Sequence, residues 1–158
     1  MTGCGGGKTA GDTTSSTSNS ATATQSATLA RLKAAVRSSL SAYHRLSVRS
    51  LWSNTIDSHQ VAIAGPALSN LRAALAQRRT RGVRVRLLSD RFHITSIHLD
   101  PSFATATALV ADPQRVQPYG YDGRPLGRAV NLNEHARIEL HRAERPLRFV
   151  VWKVSATK

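Results

Sequence analysis

Acidic residues are scarce in this 158-residue chain: nine Asp and Glu stand against 22 Lys and Arg, a formal charge of +13. Cysteine is scarcer still. The single Cys4 excludes an internal disulfide framework, and it lies too far from any apolar run to serve as a catalytic thiol. Aromatic residues make up only 5% of the chain and none interleaves with the densest run of arginines, which argues against a stacking platform for single-stranded nucleic acid. No apolar run approaches the roughly 18 residues that a membrane-spanning helix needs. Finally, residues 5–28 contain no Leu, Ile, Val or aromatic side chain at all. Such a stretch buries too little apolar surface to repay its ordering entropy, so composition predicts a linker over residues 1–28 and one domain over residues 29–158. As a random coil that linker reaches roughly 25–30 Å.

Lys8 and Asp12 cancel, so the whole net charge belongs to residues 29–158. Most of the cations are Arg, and together with abundant Ala this reflects coding bias as much as a selected surface. As a functional feature, the charge suits anionic phospholipid or an acidic wall polymer outside a cell, or nucleic acid inside it. Arg78, Arg79, Arg81, Arg84 and Arg86, supported by Arg72, form the densest basic patch. A solvated helix end followed by the outer face of a strand accounts for the same residues.

Periodicity orders the elements. Leu29, Leu32, Val36, Leu40 and Tyr43 form one apolar stripe of a first helix, with Thr28 or Ser26 placed to cap it. Leu51 and Trp52 continue that helix or start a short second one, and Asn54 to Gln60 reads as irregular. Gly65-Pro66 opens another helix, with Leu68, Leu71 and Leu75 on one side, and Arg78, Arg79 and Arg81 before Gly82 mark its end. From Val83 the period becomes two, shifting phase between Ile94 and Ile97 as a bulge would require. Strands are expected over 105–110, with 116–119 as an extension or a third strand, then 129–142 after the Asp122-Gly123 turn, and finally 147–155. Helices first and antiparallel strands after predict an α+β fold, with N-terminal helices packed on a curved antiparallel sheet.

Thr2-Gly3-Cys4, followed by glycines and a Thr/Ser/Ala tract, resembles the last three positions of a bacterial lipoprotein signal. Met1 stands where that pattern usually has Leu, and the charged and apolar regions that precede such a cleavage site do not appear before it. The resemblance implies acylation of Cys4, a true start further upstream, and a location on the extracytoplasmic face of the membrane. A chain that truly starts at Met1 stays in the cytoplasm.

The helix ending in Arg-Gly, a long bent strand, and the closing Arg148-Phe149-Val150-Val151-Trp152-Lys153-Val154 resemble the nuclear transport factor 2-like (cystatin-like) superfamily over approximately residues 29–156, including small lipid-anchored members in high-GC Gram-positive bacteria. The resemblance implies a cone in which helices and sheet enclose a pocket. Some members are isomerases, dehydratases or cyclases and many only bind or dimerise, so function does not follow from the fold.

Within such a cone the resemblance directs attention to a carboxylate base and a Tyr or acidic partner, which makes Tyr43, Asp57, His59, Asp90 and His93 the pocket candidates. Tyr43 on an apolar stripe also reads as an ordinary core aromatic, and Asp57 as a turn residue bonding its own backbone. No position matches a catalytic motif. Gly5-Gly6-Gly7-Lys8-Thr9 falls one residue short of a phosphate-binding loop, because Thr2 stands where its first glycine belongs. His93 and His98 differ by an odd number along a strand, and His135 and His141 sit about 20 Å apart at ~3.3 Å per residue, so neither pair predicts a metal site. No cofactor is expected. The sequence therefore reads as a lipid-anchored binding or interaction domain of the cell envelope. Its partners would be the membrane through Cys4, anionic lipid or wall polymer, an unidentified protein, and a second copy of itself as a homodimer. The alternatives are a small isomerase- or dehydratase-like enzyme, which an acidic residue lining the pocket would favour, and a cytoplasmic nucleic-acid-binding accessory protein.

Overall fold

The computed structural model describes residues 16–57, 59–143 and 147–157. Chain contacts divide the protein into Met1–Arg31 and Leu32–Lys158. Cys4 and its glycines lie outside the described residues. In the first unit residues 16–31 are helical and belong to α1, Ser16–Ser53. The helix thus starts well upstream of Leu29, within the stretch that composition assigns to the linker. No Gly or Pro occurs from Asp12 to Ala64. Extending an existing helix fixes one residue per hydrogen bond gained, so this Ser/Thr-rich stretch, of modest helix propensity but free of any breaker, continues the helix. Thr28 does not cap it; its hydroxyl donates to Thr24 O at 3.0 Å, one turn back. At the other end α1 absorbs Leu51 and Trp52 and stops at Asn54, which adopts a left-handed φ of 55°.

In the second unit α2 spans Gly65–Thr80, with Pro in its first turn and Arg78 and Arg79 in its last, as the start and stop signals predict. Five antiparallel strands follow: β1 Val83–Asp90, β2 His93–Leu99, β3 Thr105–Gly120, β4 Val130–Ala143 and β5 Arg148–Ala156. The order is β1-β3-β4-β5, with β2 also pairing β3. The long β3 explains the topology. Its first half pairs β2 and its second half pairs β1, so β1 and β2 lie end to end along one side of it, turning at Arg91-Phe92. The expected phase shift is present as a register break between Ile94 and Ser96.

Residues 105–110 and 116–119 are one continuous strand, so 116–119 is the extension and not a third strand. Pro113 suggests a break, yet neither Asp112 nor Pro113 pairs with β1 or β2, because both face the corner between them. A proline there removes no ladder bond to either strand. The core forms where Leu32, Val36 and Leu40 of α1 and Ala67 of α2 meet the inner positions of the sheet: Ala106, Ala108 and Val110 on β3, Ile138 and Leu140 on β4, Phe149 and Val151 on β5. Each fully buried Leu, Ile or Phe contributes about 1.5–3 kcal/mol. The fold is α+β, with two helices packed on an open antiparallel sheet.

Candidate functional site

Three elements carry polar residues onto the inner side of the sheet. On α1, Tyr43 and His44 follow Leu40 by three and four residues, so both continue the apolar stripe where more Leu or Val would complete a core. On β3, Asp112 keeps the phase of Ala106, Ala108 and Val110 and is 8% exposed. On β4, Glu134 keeps the phase of Ile138 and Leu140, and in the β3–β4 register Asp112 and Glu134 are direct partners. Like charges directly opposite across a ladder destabilise it. Of nine acidic residues in a strongly basic chain, two therefore face each other across the ladder on this side of the sheet, Asp112 buried and Glu134 exposed.

The β1–β2 corner adds Asp90 and Phe92. His44 Nε2 lies 2.7 Å from Asp90 Oδ2, while His44 Nδ1 lies 3.6 Å from Asp112 Oδ2. The Phe92 ring stacks on the imidazole at 4.4 Å between centroids and 15° between planes. Asp112 Oδ2 accepts a hydrogen bond from Gln114 Nε2, but Oδ1 is buried with no protein partner. A buried acceptor left this way costs about 1–3 kcal/mol, more when charged. Tyr43 is held above its ordinary pKa, chiefly by burial and further by the charges of Glu134 and Asp112. Burial pulls the Arg78 guanidinium below its ordinary value, while Glu134 pushes it back up.

All of these except Asp90 border a cavity of about 300 Å³ under α1. Its walls are mostly apolar, including Val48, Leu51, Leu71, Val85, Val110 and Ile138, and its polar side is built from Tyr43, His44, Asp112, Glu134 and Arg78. The arrangement offers an apolar space with an acidic, hydrogen-bonding end. A volume of this size suits a small ligand.

Of the five candidates read from sequence, Tyr43 lines this cavity and Asp90 reaches it through His44. The other three do not. Asp57 Oδ1 accepts from the His59 backbone N–H at 2.9 Å, a local turn, and Asp57 borders a separate surface depression with Arg45 and Arg49. His93 is exposed and its Nδ1 contacts Arg91 O. The bulge does put His93 and His98 on one face, since their register partners Ala111 and Thr107 are in phase, yet both are exposed. Among the described residues the group that brings three metal-ligating side chains together is His44, Asp90 and Asp112, with ligand atoms all within 4.8 Å of one another. The strand histidines carry no such group, whereas His44, absent from the sequence candidates, lies in phase with the first stripe, one residue after Tyr43.

The basic patch also resolves differently. Arg78 turns to the cavity, Arg79 donates to Asn54 O at 3.0 Å, and Arg84 lies over two rings, 5.6 Å from Trp52 and 4.7 Å from Tyr121. Arg72, Arg81 and Arg86 are exposed. Aromatics absent from the arginine run in sequence are therefore supplied to Arg84 by α1 and the β3–β4 turn.

No protein-family model matches the sequence, and no curated protein matches it. Among solved structures, the fold is similar to the intermembrane-space region of the chloroplast protein ARC6, with a TM-score of 0.59 and 10% identity, covering 75% of this chain and 91% of that one. At that identity the likeness concerns the fold alone.

Proposed function

We propose that this chain is a small-molecule binding domain carried on the extracytoplasmic face of a membrane by lipid at Cys4. Its ligand is a small amphiphile whose apolar part fills the cavity under α1 and whose cationic end meets Asp112 and Glu134. One observation carries the reading: two carboxylates oppose each other across the β3–β4 ladder at the wall of an apolar cavity, one of them with a buried oxygen that no protein group satisfies. A cationic head group relieves both costs at once, and Arg78 compensates them only from the Glu134 side. Helices over a curved sheet with a cavity between them also suit the cone that the nuclear transport factor 2-like resemblance implies. Anchoring rests on Thr2-Gly3-Cys4 and the tract behind it. Two or more acyl chains, aided by a basic domain, are enough for stable attachment.

The cavity half of the reading is tested by calorimetry with octylamine, octanol and octanoate in chelator-containing buffer. Octylamine binds most tightly and octanoate least, and Glu134→Gln with Asp112→Asn removes the preference. Equal or tighter binding of octanoate, or no binding of any of the three, overturns it. The anchor is tested by intact mass of the protein from native membranes: a lipid-sized increment starting at Cys4, lost in Cys4→Ala, is expected, and an unmodified chain in the cytosol sinks that half.

A second reading has its own support. In the hydrogen-bonded Asp90–His44 pair a carboxylate fixes an imidazole at the edge of an apolar cavity beside Tyr43, which is equipment for general acid–base chemistry. An isomerase- or dehydratase-like activity would use His44 as the proton carrier and Asp90 to position it.

A further inference from the structure

We propose that His44 and Asp112, with Asp90 behind them, form a binding site for a divalent transition-metal ion at the polar end of the cavity. The argument starts from the tautomer. Asp90 Oδ2 stands 2.7 Å from His44 Nε2, a hydrogen bond that places the ring proton on Nε2 when the imidazole is neutral. The lone pair is then on Nδ1, and it faces Asp112 Oδ2 across 3.6 Å. Two acceptors then face each other, and the donor that Oδ2 does have is the neutral Gln114 amide rather than a cation, in a chain that otherwise has cations to spare.

The spacing suits an ion. Two ligands each about 2.1 Å from one metal and 3.6 Å from each other subtend about 118° at it, between tetrahedral and trigonal. Asp112 brings a second, independent sign of a missing partner: the residue is 8% exposed and its Oδ1 is buried without a hydrogen bond. That oxygen is available as a further ligand, and the cavity supplies space for water or a donor atom of a bound molecule. Asp90 is then a positioning residue, holding the imidazole through its other nitrogen as carboxylates behind metal-bound histidines do. Phe92, stacked on the ring, restricts its rotation. Imidazole with carboxylate selects an ion such as Zn²⁺, Co²⁺ or Mn²⁺ over Ca²⁺, which prefers an all-oxygen shell. The ion and a cationic head group would compete for Asp112, so the two are tested apart: the amine is titrated in chelator and the ion is titrated alone.

The experiment is a titration of the chelator-stripped full chain with Co²⁺ and Zn²⁺, carried out on a Cys4→Ser background so that the thiol does not compete. One ion per chain is expected, with a Co²⁺ visible spectrum. Asp112→Asn and His44→Gln should each weaken binding by at least about a hundredfold, Asp90→Asn by about tenfold to a hundredfold, and the control His93→Gln not at all. Absence of a 1:1 site, or a site that His93→Gln removes and Asp112→Asn spares, overturns the proposal. Circular dichroism checks that each variant folds. Should one of them not fold, Mn²⁺ broadening in the Cys4→Ser protein decides instead: loss of the amide signals around residues 44 and 112 is the expected result, and broadening confined to other histidines refutes the site.

Discussion

Replacing Gly65 by Ala should destabilise the domain by about 2–4 kcal/mol, the sum of a left-handed backbone penalty and a steric one. Gly65 opens α2 at φ +55°, where an L side chain meets its own carbonyl. A Cβ added there would also stand 2.7–2.8 Å from ring atoms of Trp152 on β5. That ring is held on β5 by a stack on His141, with centroids 4.6 Å apart and planes 10° apart, so a shift of the indole disturbs a second contact. The preceding segment is tied to the same strand, Ala64 N–H donating to Val151 O at 2.9 Å and Val151 N–H to Ala62 O at 3.0 Å. Backbone relief by moving α2 would therefore break bonds on β5. Chemical denaturation measures the effect, and the double variant Gly65→Ala/Trp152→Ala separates its parts. The second change should return the steric share of the loss when scored against Trp152→Ala alone. If Gly65→Ala is as stable as the parent, the close approach of α2 to Trp152 is wrong.

Asn54→Ala should cost a similar amount, about 2–4 kcal/mol. Asn54 is fully buried and ends α1 at φ 55°. Its backbone N–H donates to Ser50 O at 2.9 Å and its carbonyl accepts from Arg79 Nη1 at 3.0 Å. Its side-chain Nδ2 donates to Val83 O at 2.7 Å and reaches the Tyr121 hydroxyl at 3.3 Å. One residue thus joins the ends of both helices to the start of the sheet. Alanine loses the Val83 bond and does not tolerate the dihedral; glycine loses the bond but keeps the dihedral. Asn54→Gly should consequently be less harmful than Asn54→Ala, by about 1 kcal/mol. Thermal unfolding of the two variants side by side checks the order, and an alanine variant at least as stable as the glycine one would remove the left-handed cap from the account.

The two cases mark how far local sequence carries. Gly65-Pro66 announces a helix start from sequence, and the arginines before Gly82 announce its end, because both signals act through neighbouring backbone. That Gly65 must also be small depends on Trp152, far along the chain. Asn54 shows the same limit: asparagine after a helical stripe suits a left-handed cap, yet its bond to Val83 exists only once β1 has docked beside the end of α1.

The candidate site was half legible. Phase alone puts Tyr43 and His44 on the inner stripe of α1, and puts Asp112 beside Ala106, Ala108 and Val110 once the strand expected over 105–110 is carried two residues further. Asp90 was visible as a carboxylate at a strand end, with nothing local to say that it meets a histidine 46 positions earlier. His59 and His93 looked equivalent to His44 by residue type, and only burial separates them.

By itself the sequence determined what depends on period and on short-range sterics: helices followed by antiparallel strands, the bulge after Ile94, the turn at Asp122-Gly123, and a strongly basic charge. The tertiary structure alone decided which polar groups share a cavity. Register sets Asp112 opposite Glu134, the β1–β2 corner swings Asp90 and Phe92 onto His44, and the docking of α2 turns Arg78 inward while leaving Arg72 and Arg81 exposed. Periodicity states which face a side chain occupies. Which side chains meet on that face is set by strand pairing and helix packing between distant segments, and that information is not local.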